Sequence, residues 1–552
     1  MNANPTVIEY VLGRLKDIGV GDIFGVPGDF AFPVQDAIVA HPDINWIGCC
    51  NELNAGYAAD GYARIRGVAA LSTTYGVGEL GAISAIAGAY AEHLPVFHLT
   101  GMPALSAQDQ RAIVHHTLGN GEFDFFHSMA DKVVGASAVI TPDNAVAETE
   151  RLIAEALHNR RPVYMAFPSD VVDKPVLASA RPLGAPASDP ASLAAAVTAV
   201  VGKLDAASNA CVLPGLLLDG MGLTYVARAV IEAAGVPYAT MFADKSVLGE
   251  QHPNYIGMYD GRLMNEPVRE FVESCDVVML VGTAMTDFNS GAFTASLDPA
   301  RTVDVGMHST TVGGTVYRDV EMADLLCAVA QRVTKRSRVP AYIAPTTLGP
   351  IVDVSDDAIT ADALYPRWAE FLEAGDIVIA ETGTCSMGLA FTQLPAGARF
   401  FNQTLWGAIG WATPAAFGAA VAAPNRRVVL FTGEGSHQLT AQEISQFHRH
   451  GLRPVVFVLN NSGYLIERML CKDPSIAYND VAQWNYAELP HALGCDDWFT
   501  ARVTTVAQLD EAMKAAAAGE QAAYIEVVTD TYAAPPLPLR LHESTKTLYG
   551  VQ

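Results

Sequence analysis

Two hydrophobic patterns alternate along the chain. One is a short run that is apolar at nearly every position. It recurs as DIFGVPG (22–28), LPVFHLTG (94–101), PVYMAF (162–167), ACVLPG (210–215), DVVMLVG (276–282), DIVIAETG (376–383), RVVLFTG (427–433) and PVVFVLNN (454–461). A strand that is apolar on both faces belongs inside a sheet covered on both sides. The other pattern is amphipathic and helical, as in DNAVAETERLIAEALHN (143–159). Alternation of the two predicts an α/β protein built from doubly wound parallel sheets. Two stretches interrupt the rhythm, SARPLGAPASDP (179–190) and KRSRVPAYIAPTTLGP (335–350). Both are rich in proline and small residues and read as linkers. They cut the chain into three α/β blocks, expected at 1–180, 190–340 and 355–552.

Composition narrows the classes of function. A chain of 552 residues, half of them hydrophobic, has ample core for two or three domains. Its formal charge is −25, and no basic stripe interrupts the acidity, so nucleic acid is not an expected partner. The N-terminus MNANPTVIEYVLGRL lacks a basic region followed by an apolar core, so no secretion signal is read. No apolar run reaches the roughly 18 residues that span a bilayer, so no membrane association is expected. The cysteines at 49, 50, 211, 275, 327, 385, 471 and 495 form no C-x-x-C pair. Reduced thiols in a cytoplasm are the simplest expectation.

The chemistry concentrates at strand ends, where ligands of open α/β sheets bind. RVVLFTG runs into Glu434-Gly435-Ser436. Glycines let the backbone approach an anion, and a serine offers an amide and a hydroxyl to phosphate. Alone, this is also what an ordinary β–α turn looks like. Further on, PVVFVLNNSGY ends a strand in Asn460-Asn461-Ser462-Gly463. Alone, the pair is a turn or a helix cap. Together, a carboxylate, an amide oxygen and a backbone carbonyl make a hard-oxygen set suited to Mg²⁺ beside a diphosphate.

G-E-G-S followed by N-N at this spacing resembles the thiamin diphosphate motif, whose usual form is G-D-G-S. With it, the chain resembles the pyruvate decarboxylase and indolepyruvate decarboxylase family over nearly its full length. The resemblance implies a pyrimidine-binding, a central and a diphosphate-binding domain. It implies thiamin diphosphate and Mg²⁺ as cofactors, with Glu434, Asn461 and the Gly463 carbonyl as metal ligands. Glutamate replaces the usual aspartate here, one methylene longer. Thr382, Thr384, Gly435 and Ser436 fall among the family's cofactor-binding positions. So does Thr74 in STTYGVGELGA (72–82), which is similar to the family's TTFGVGELSA.

The same resemblance assigns catalytic roles to residues that alone would read as caps, turns or surface groups. Glu52 in CCNELNAGYAADGYAR (49–64) would bond a pyrimidine nitrogen of the cofactor. Asp29 in FGVPGDF, His115 and His116 in IVHHTLGNGEFDFF, and Glu467 in NNSGYLIERML would handle protons. H-H-T-L-G is similar to the decarboxylating branch rather than to the carboligases. Ile409 in WGAIGWATPAAFG would wedge the cofactor into its bent form. Ser386 stands where narrow pyruvate-specific relatives carry tryptophan, and Phe288 falls on an aromatic pocket position. The implied activity is non-oxidative decarboxylation of 2-oxo acids to aldehydes and CO₂, with larger or aromatic acids accepted beside pyruvate. A carboligase or lyase of the same superfamily, a narrow pyruvate decarboxylase and a non-catalytic cofactor binder are the alternatives. The family assembles active sites at a dimer interface, which implies a homodimer or homotetramer.

Overall fold

The computed structural model describes residues 5–177, 183–335, 343 and 348–541. The expected linkers at 179–190 and 335–350 lie in part outside them. The described residues contain nineteen strands in three sheets. The first sheet holds β1 (Asp22–Gly25), β2 (Asn45–Gly48), β3 (Ala69–Thr73), β4 (Val96–Met102), β5 (Ala136–Val139) and β6 (Val163–Pro168). Its order is β2-β1-β3-β4-β6-β5, and every pairing is parallel. The second holds β7 (Ala210–Pro214), β8 (Tyr238–Thr240), β9 (Tyr255–Met258), β10 (Val277–Val281), β11 (Thr302–Val305), β12 (Ser309–Val312) and β13 (Thr315–Arg318). The third holds β14 (Ile377–Ala380), β15 (Arg399–Phe401), β16 (Val428–Gly433), β17 (Val455–Asn460), β18 (Phe499–Val503) and β19 (Ala523–Val528). Its order, β15-β14-β16-β17-β19-β18, repeats that of the first sheet.

The second sheet departs from the wholly parallel expectation. Its order is β13-β12-β11-β10-β7-β8-β9, and β11, β12 and β13 pair antiparallel. The cause is local. Gly313 and Gly314 join β12 to β13 with φ of +55° and +87°, the backbone that a two-residue hairpin requires at both central positions. With the short connection 306–308 between β11 and β12, two hairpins replace helical crossovers and the edge becomes antiparallel.

The chain falls into two compact units. One comprises Met1–Ala185 with Thr413–Asn425 and Thr440–Leu452, and contains the first sheet. Its core packs Val11, Leu15, Ile23, Phe97, Leu99 and Met165. The helix Glu52–Arg66 lies within it and is buried along most of its length. Small residues make that possible. A Cβ on Gly61 would overlap the Ala415 carbonyl, and one on Gly418 would overlap that of Ala58. Two helices thus touch backbone to backbone at reciprocal positions.

The other unit comprises Pro186–Ala412, Arg426–Leu439 and Arg453–Gln552, and contains the second and third sheets. Under the third sheet, Phe431 and Phe457 stack at 5.2 Å with an interplanar angle of 6°, and Trp368 packs on both. Burying each such ring contributes roughly 1.5–3 kcal/mol.

Candidate active site

In the first sheet, the order reverses between β1 and β3, the kind of switch point that opens a crevice. Asp29 follows β1 and Thr74 follows β3. Asp29 Oδ2 lies 2.5 Å from His115 Nε2, and Oδ1 lies 3.8 Å from His116 Nε2. The Phe30 ring stacks on His115 at 4.7 Å. His116 carries a left-handed backbone, φ 60°, a strained state that persists where surroundings enforce it. Desolvation pushes the Asp29 carboxyl upward. The His115 hydrogen bond, the Phe30 amide and both imidazoles outweigh it, and the carboxyl sits below its ordinary value. These three side chains, expected separately from sequence, form one cluster.

Thr74 Oγ1 is buried without a hydrogen-bond partner, leaving a hydroxyl available to a ligand. Glu52 opens its helix. Asn51 caps that helix by accepting the Asn54 amide at 2.8 Å. The Glu52 carboxylate lies beside Gly78 and Gly81, where any side chain would crowd it. Glu443 holds the approach to this helix. Its Oε2 accepts the Cys50 amide at 3.2 Å and the Asn54 side-chain amide at 2.7 Å.

In the third sheet, the order reverses between β14 and β16. A cavity of about 280 Å³ opens there. Its lining includes Thr382, Thr384, Ile409, Glu434, Gly435, Ser436, Asn461, Gly463 and Glu467. Most positions expected to bind cofactor or metal therefore meet in one space. Glu434 is 1 % exposed. Its Oε1 accepts the amides of Gly463 at 2.7 Å and Asn461 at 3.2 Å. Burial raises its carboxyl to about 7, against the pull of the Gly463 amide, its own amide, the Asn461 amide and Arg468.

The two adjacent asparagines divide the work. Asn460 donates to Glu526 at 2.8 Å and accepts the Ser462 amide. Asn461 Oδ1 is buried without a partner. Arg468 closes the loop from behind, donating to the carbonyls of Asn461 at 3.3 Å and Ser462 at 2.7 Å and to Asp480 at 3.0 Å. Glu467 lies one turn along on the exposed side of the helix Leu465–Leu470, and it lines the cavity. A buried carboxylate and an unspent amide oxygen beside the Ser436 hydroxyl suit a hard cation with its phosphate ligands.

Ser386 and Phe288 stand apart from this cavity. Ser386 is buried, its hydroxyl donating to the Gly383 carbonyl at 3.1 Å. Phe288 stacks on Phe242 at 5.5 Å and lines a neighbouring hollow with Met387.

Three family models match the chain. Residues 5–126 match the thiamine pyrophosphate enzyme N-terminal TPP binding domain, 197–333 the central domain and 381–527 the C-terminal TPP binding domain. The alpha-keto-acid decarboxylase of Mycobacterium ulcerans (strain Agy99) is 41% identical over 536 residues, covering 96% of this chain and 94% of that one. That of Mycobacterium leprae (strain TN) is 40% identical over 537 residues, covering 96% and 94%. The chain belongs to the thiamin diphosphate-dependent 2-oxo acid decarboxylases. Two solved structures share its fold. Benzoylformate decarboxylase from Polynucleobacter necessarius superposes with a TM-score of 0.79 at 18% identity, covering 96% of this chain and 100% of that one. The thiamine diphosphate-dependent 4-hydroxybenzoylformate decarboxylase of Rhodococcus jostii gives 0.76 at 20%, covering 95% and 99%.

Two buried acids of this decarboxylase were passed over by sequence reasoning. Glu443 sits in TAQEIS, just beyond the G-E-G-S turn, and only its burial marks it out. Glu381, at the end of β14, accepts the amides of Thr382 at 3.2 Å and Ala412 at 3.3 Å and the Thr432 hydroxyl at 3.3 Å. Burial raises its carboxyl to about 7, against those amides and that hydroxyl. It fixes the turn that presents Thr382 to the cavity. Among the described residues, no helix is long and apolar enough to cross a membrane.

Proposed function

We propose that this decarboxylase works with Mg²⁺ and accepts larger or aromatic 2-oxo acids as well as pyruvate. The observation that carries the metal is the unspent Asn461 Oδ1 beside buried Glu434 in the strand-end cavity. In this reading, Glu434, Asn461 and the Gly463 carbonyl hold the cation. Ser436, Gly435, Thr382 and Thr384 hold the diphosphate, and Ile409 bears on the body of the cofactor. Thiamin diphosphate, when bound, supplies the electron sink that lets a 2-oxo acid release CO₂. Glu52 holds a proton on the pyrimidine edge, with Thr74 orienting the ring. Asp29, His115, His116 and Glu467 place and remove protons around the substrate; the contacts of Asp29 with His115 and His116 support those three acting as a unit.

The acyl pocket in this reading runs by Phe288 and Met387, with small Ser386 next to Met387 on the helix Thr384–Leu389. Each methylene-scale change in such a pocket is worth about 1–3 kcal/mol. The domain limits 1–180, 190–340 and 355–552 belong to the same proposal. So do a cytoplasmic location and a homodimer or homotetramer in which one copy offers the Glu52 and Thr74 groups and another the diphosphate groups.

The test is release of CO₂ and aldehyde from a panel of 2-oxo acids with thiamin diphosphate and Mg²⁺. Turnover of phenylpyruvate and of longer aliphatic acids supports the reading. Turnover of pyruvate alone defeats the substrate range, and acyloin or acetolactate as main product defeats simple decarboxylation. Activity in a monomer during sedimentation would defeat the shared site.

A further inference from the structure

Asp260 is 2 % exposed, and neither of its carboxyl oxygens has a hydrogen-bond partner. Such a group costs free energy unless something meets it. Burial pushes its carboxyl well above the ordinary value, against the charge of Arg540 and the pull of the Met264 amide and its own amide, neither of which reaches it in hydrogen-bonding geometry. It lines a hollow of about 30 Å³ with Phe242, Leu263, Phe288, Ala292 and Met387. That is room for one water-sized group, since about 10–15 Å³ suffices. Every wall but the two acids Asp260 and Asp287 is apolar. The Asp287 carboxylate already accepts the Phe288 amide at 2.9 Å.

Two further observations set the hollow in its surroundings. Ile466 lines the strand-end cavity and packs in the same cluster as Phe242, Phe288, Leu263 and Met387. A residue of the cavity's lining therefore packs in the apolar cluster that walls the hollow. The loop over Asp260 is strained. Gly291, Ala292 and Phe293 have consecutive φ of 59°, 58° and 57°, and left-handed backbone is a strained state at the two non-glycine residues. Asn289 holds the loop there, accepting the Ala243 amide at 2.7 Å and donating to Asp244 at 2.9 Å.

We infer that Asp260 determines specificity: its carboxyl forms the far end of the acyl pocket and accepts a hydrogen bond from an N–H or O–H at the distal end of the substrate's side chain. The inference rests on the substrate range proposed above. The favoured acids carry an aromatic body that stays outside this water-sized hollow and one terminal donor that enters it beside Phe242 and Phe288. A site built to meet a polar hydrogen discriminates strongly against the analogue that lacks it, because its own buried polar group is then left unpaired.

Two substrate pairs test it, each matched in shape and differing in the donor. One is 3-indolylpyruvate against its benzothienyl analogue; the other is 4-hydroxyphenylpyruvate against 4-fluorophenylpyruvate. We expect the wild type to prefer the donor in at least one pair by about tenfold or more in kcat/KM. Asp260→Leu and Asp260→Ala should bring that ratio to within about twofold of unity, and Asp260→Asn, which keeps an acceptor, should retain most of it. If a leucine variant fails to fold, the wild-type ratio and the alanine variant decide. Equal kcat/KM within both pairs in the wild type, or a preference that survives both truncations, overturns the inference while leaving the aromatic range standing. No turnover of any aromatic acid overturns both.

Discussion

Glu434 does two jobs in this reading, and substitutions can separate them. Without a cation, its Oε1 is the acceptor for the buried amides of Asn461 and Gly463. Glu434→Ala leaves two buried donors unpaired at about 1–3 kcal/mol each, so the loop should lose roughly 2–6 kcal/mol. Glu434→Gln keeps an acceptor oxygen at the same reach and loses only the charge. It should hold the cofactor-free thermal transition near wild type. It should also raise the Mg²⁺ concentration needed to retain thiamin diphosphate, by about five- to thirtyfold for a loss of 1–2 kcal/mol. Glu434→Asp retains the charge but is one methylene shorter and cannot serve both amides from the same backbone. It should bind metal as well as wild type or better, keep activity, and melt earlier without cofactor. The assay is Mg²⁺ titration at fixed thiamin diphosphate for the four proteins, paired with melting of each cofactor-free form. A glutamine variant with the wild-type Mg²⁺ midpoint would show that the carboxylate is not a ligand. An alanine variant that melts with wild type would show that the amides do not depend on it.

Three further outcomes are expected. Glu52→Gln should nearly abolish CO₂ release while leaving the diphosphate end bound, because an amide cannot hold the pyrimidine-edge proton as a carboxylate does; near wild-type turnover would remove Glu52 from the mechanism. Glu79 is 3 % exposed, and burial raises its carboxyl to about 7 against the Gly76 amide and the Tyr164 hydroxyl. The folded state then keeps a proton that the unfolded chain loses above its ordinary value of 4.5, so stability falls as pH rises from there to about 7. The full effect is about 3 kcal/mol. Denaturant midpoints across that window should decline less steeply for Glu79→Gln than for wild type, with the rest of the slope left to Glu381 and Glu434; parallel curves would exclude Glu79 as a source. Finally, Gly418→Ala should force the helix Glu52–Arg66 away from its neighbour at roughly 1–3 kcal/mol, seen as a lower melting temperature; an unchanged transition would mean that the close approach is easily relieved.

The eight apolar runs all became parallel strands, because continuous apolarity over a few residues has few other outcomes. Their ends were shorter than the runs where glycine or proline closed them, as at Gly25. The hairpin β12–β13 was not legible. Its strands are threonine-rich, and the half-exposed edge they form offers no apolar run to find. At the site, the motif pair at Glu434 and Asn461 was legible because two rare turns at fixed separation exclude most alternatives. The roles of Glu443, Glu381 and Asp260 were not, since a single acid in a helix or loop looks solvated until tertiary packing buries it. That the Asp29, His115 and His116 side chains converge was equally invisible, because β1 and the loop at 115–116 meet only through the sheet.

Arg468 has a consequence for how the third sheet's loop loses its order. One buried guanidinium grips the carbonyls of Asn461 and Ser462 and the carboxylate of Asp480, while the Tyr464 amide donates to the Asn479 carbonyl at 2.9 Å. Release at any of these points frees the others. The segment from 461 to 480 therefore opens as a single cooperative unit rather than by fraying from one end. Amide hydrogens near Asp480, which do not line the cavity, would then exchange in step with those at Gly463, and a ligand that settles against Asn461 would slow exchange along the entire segment.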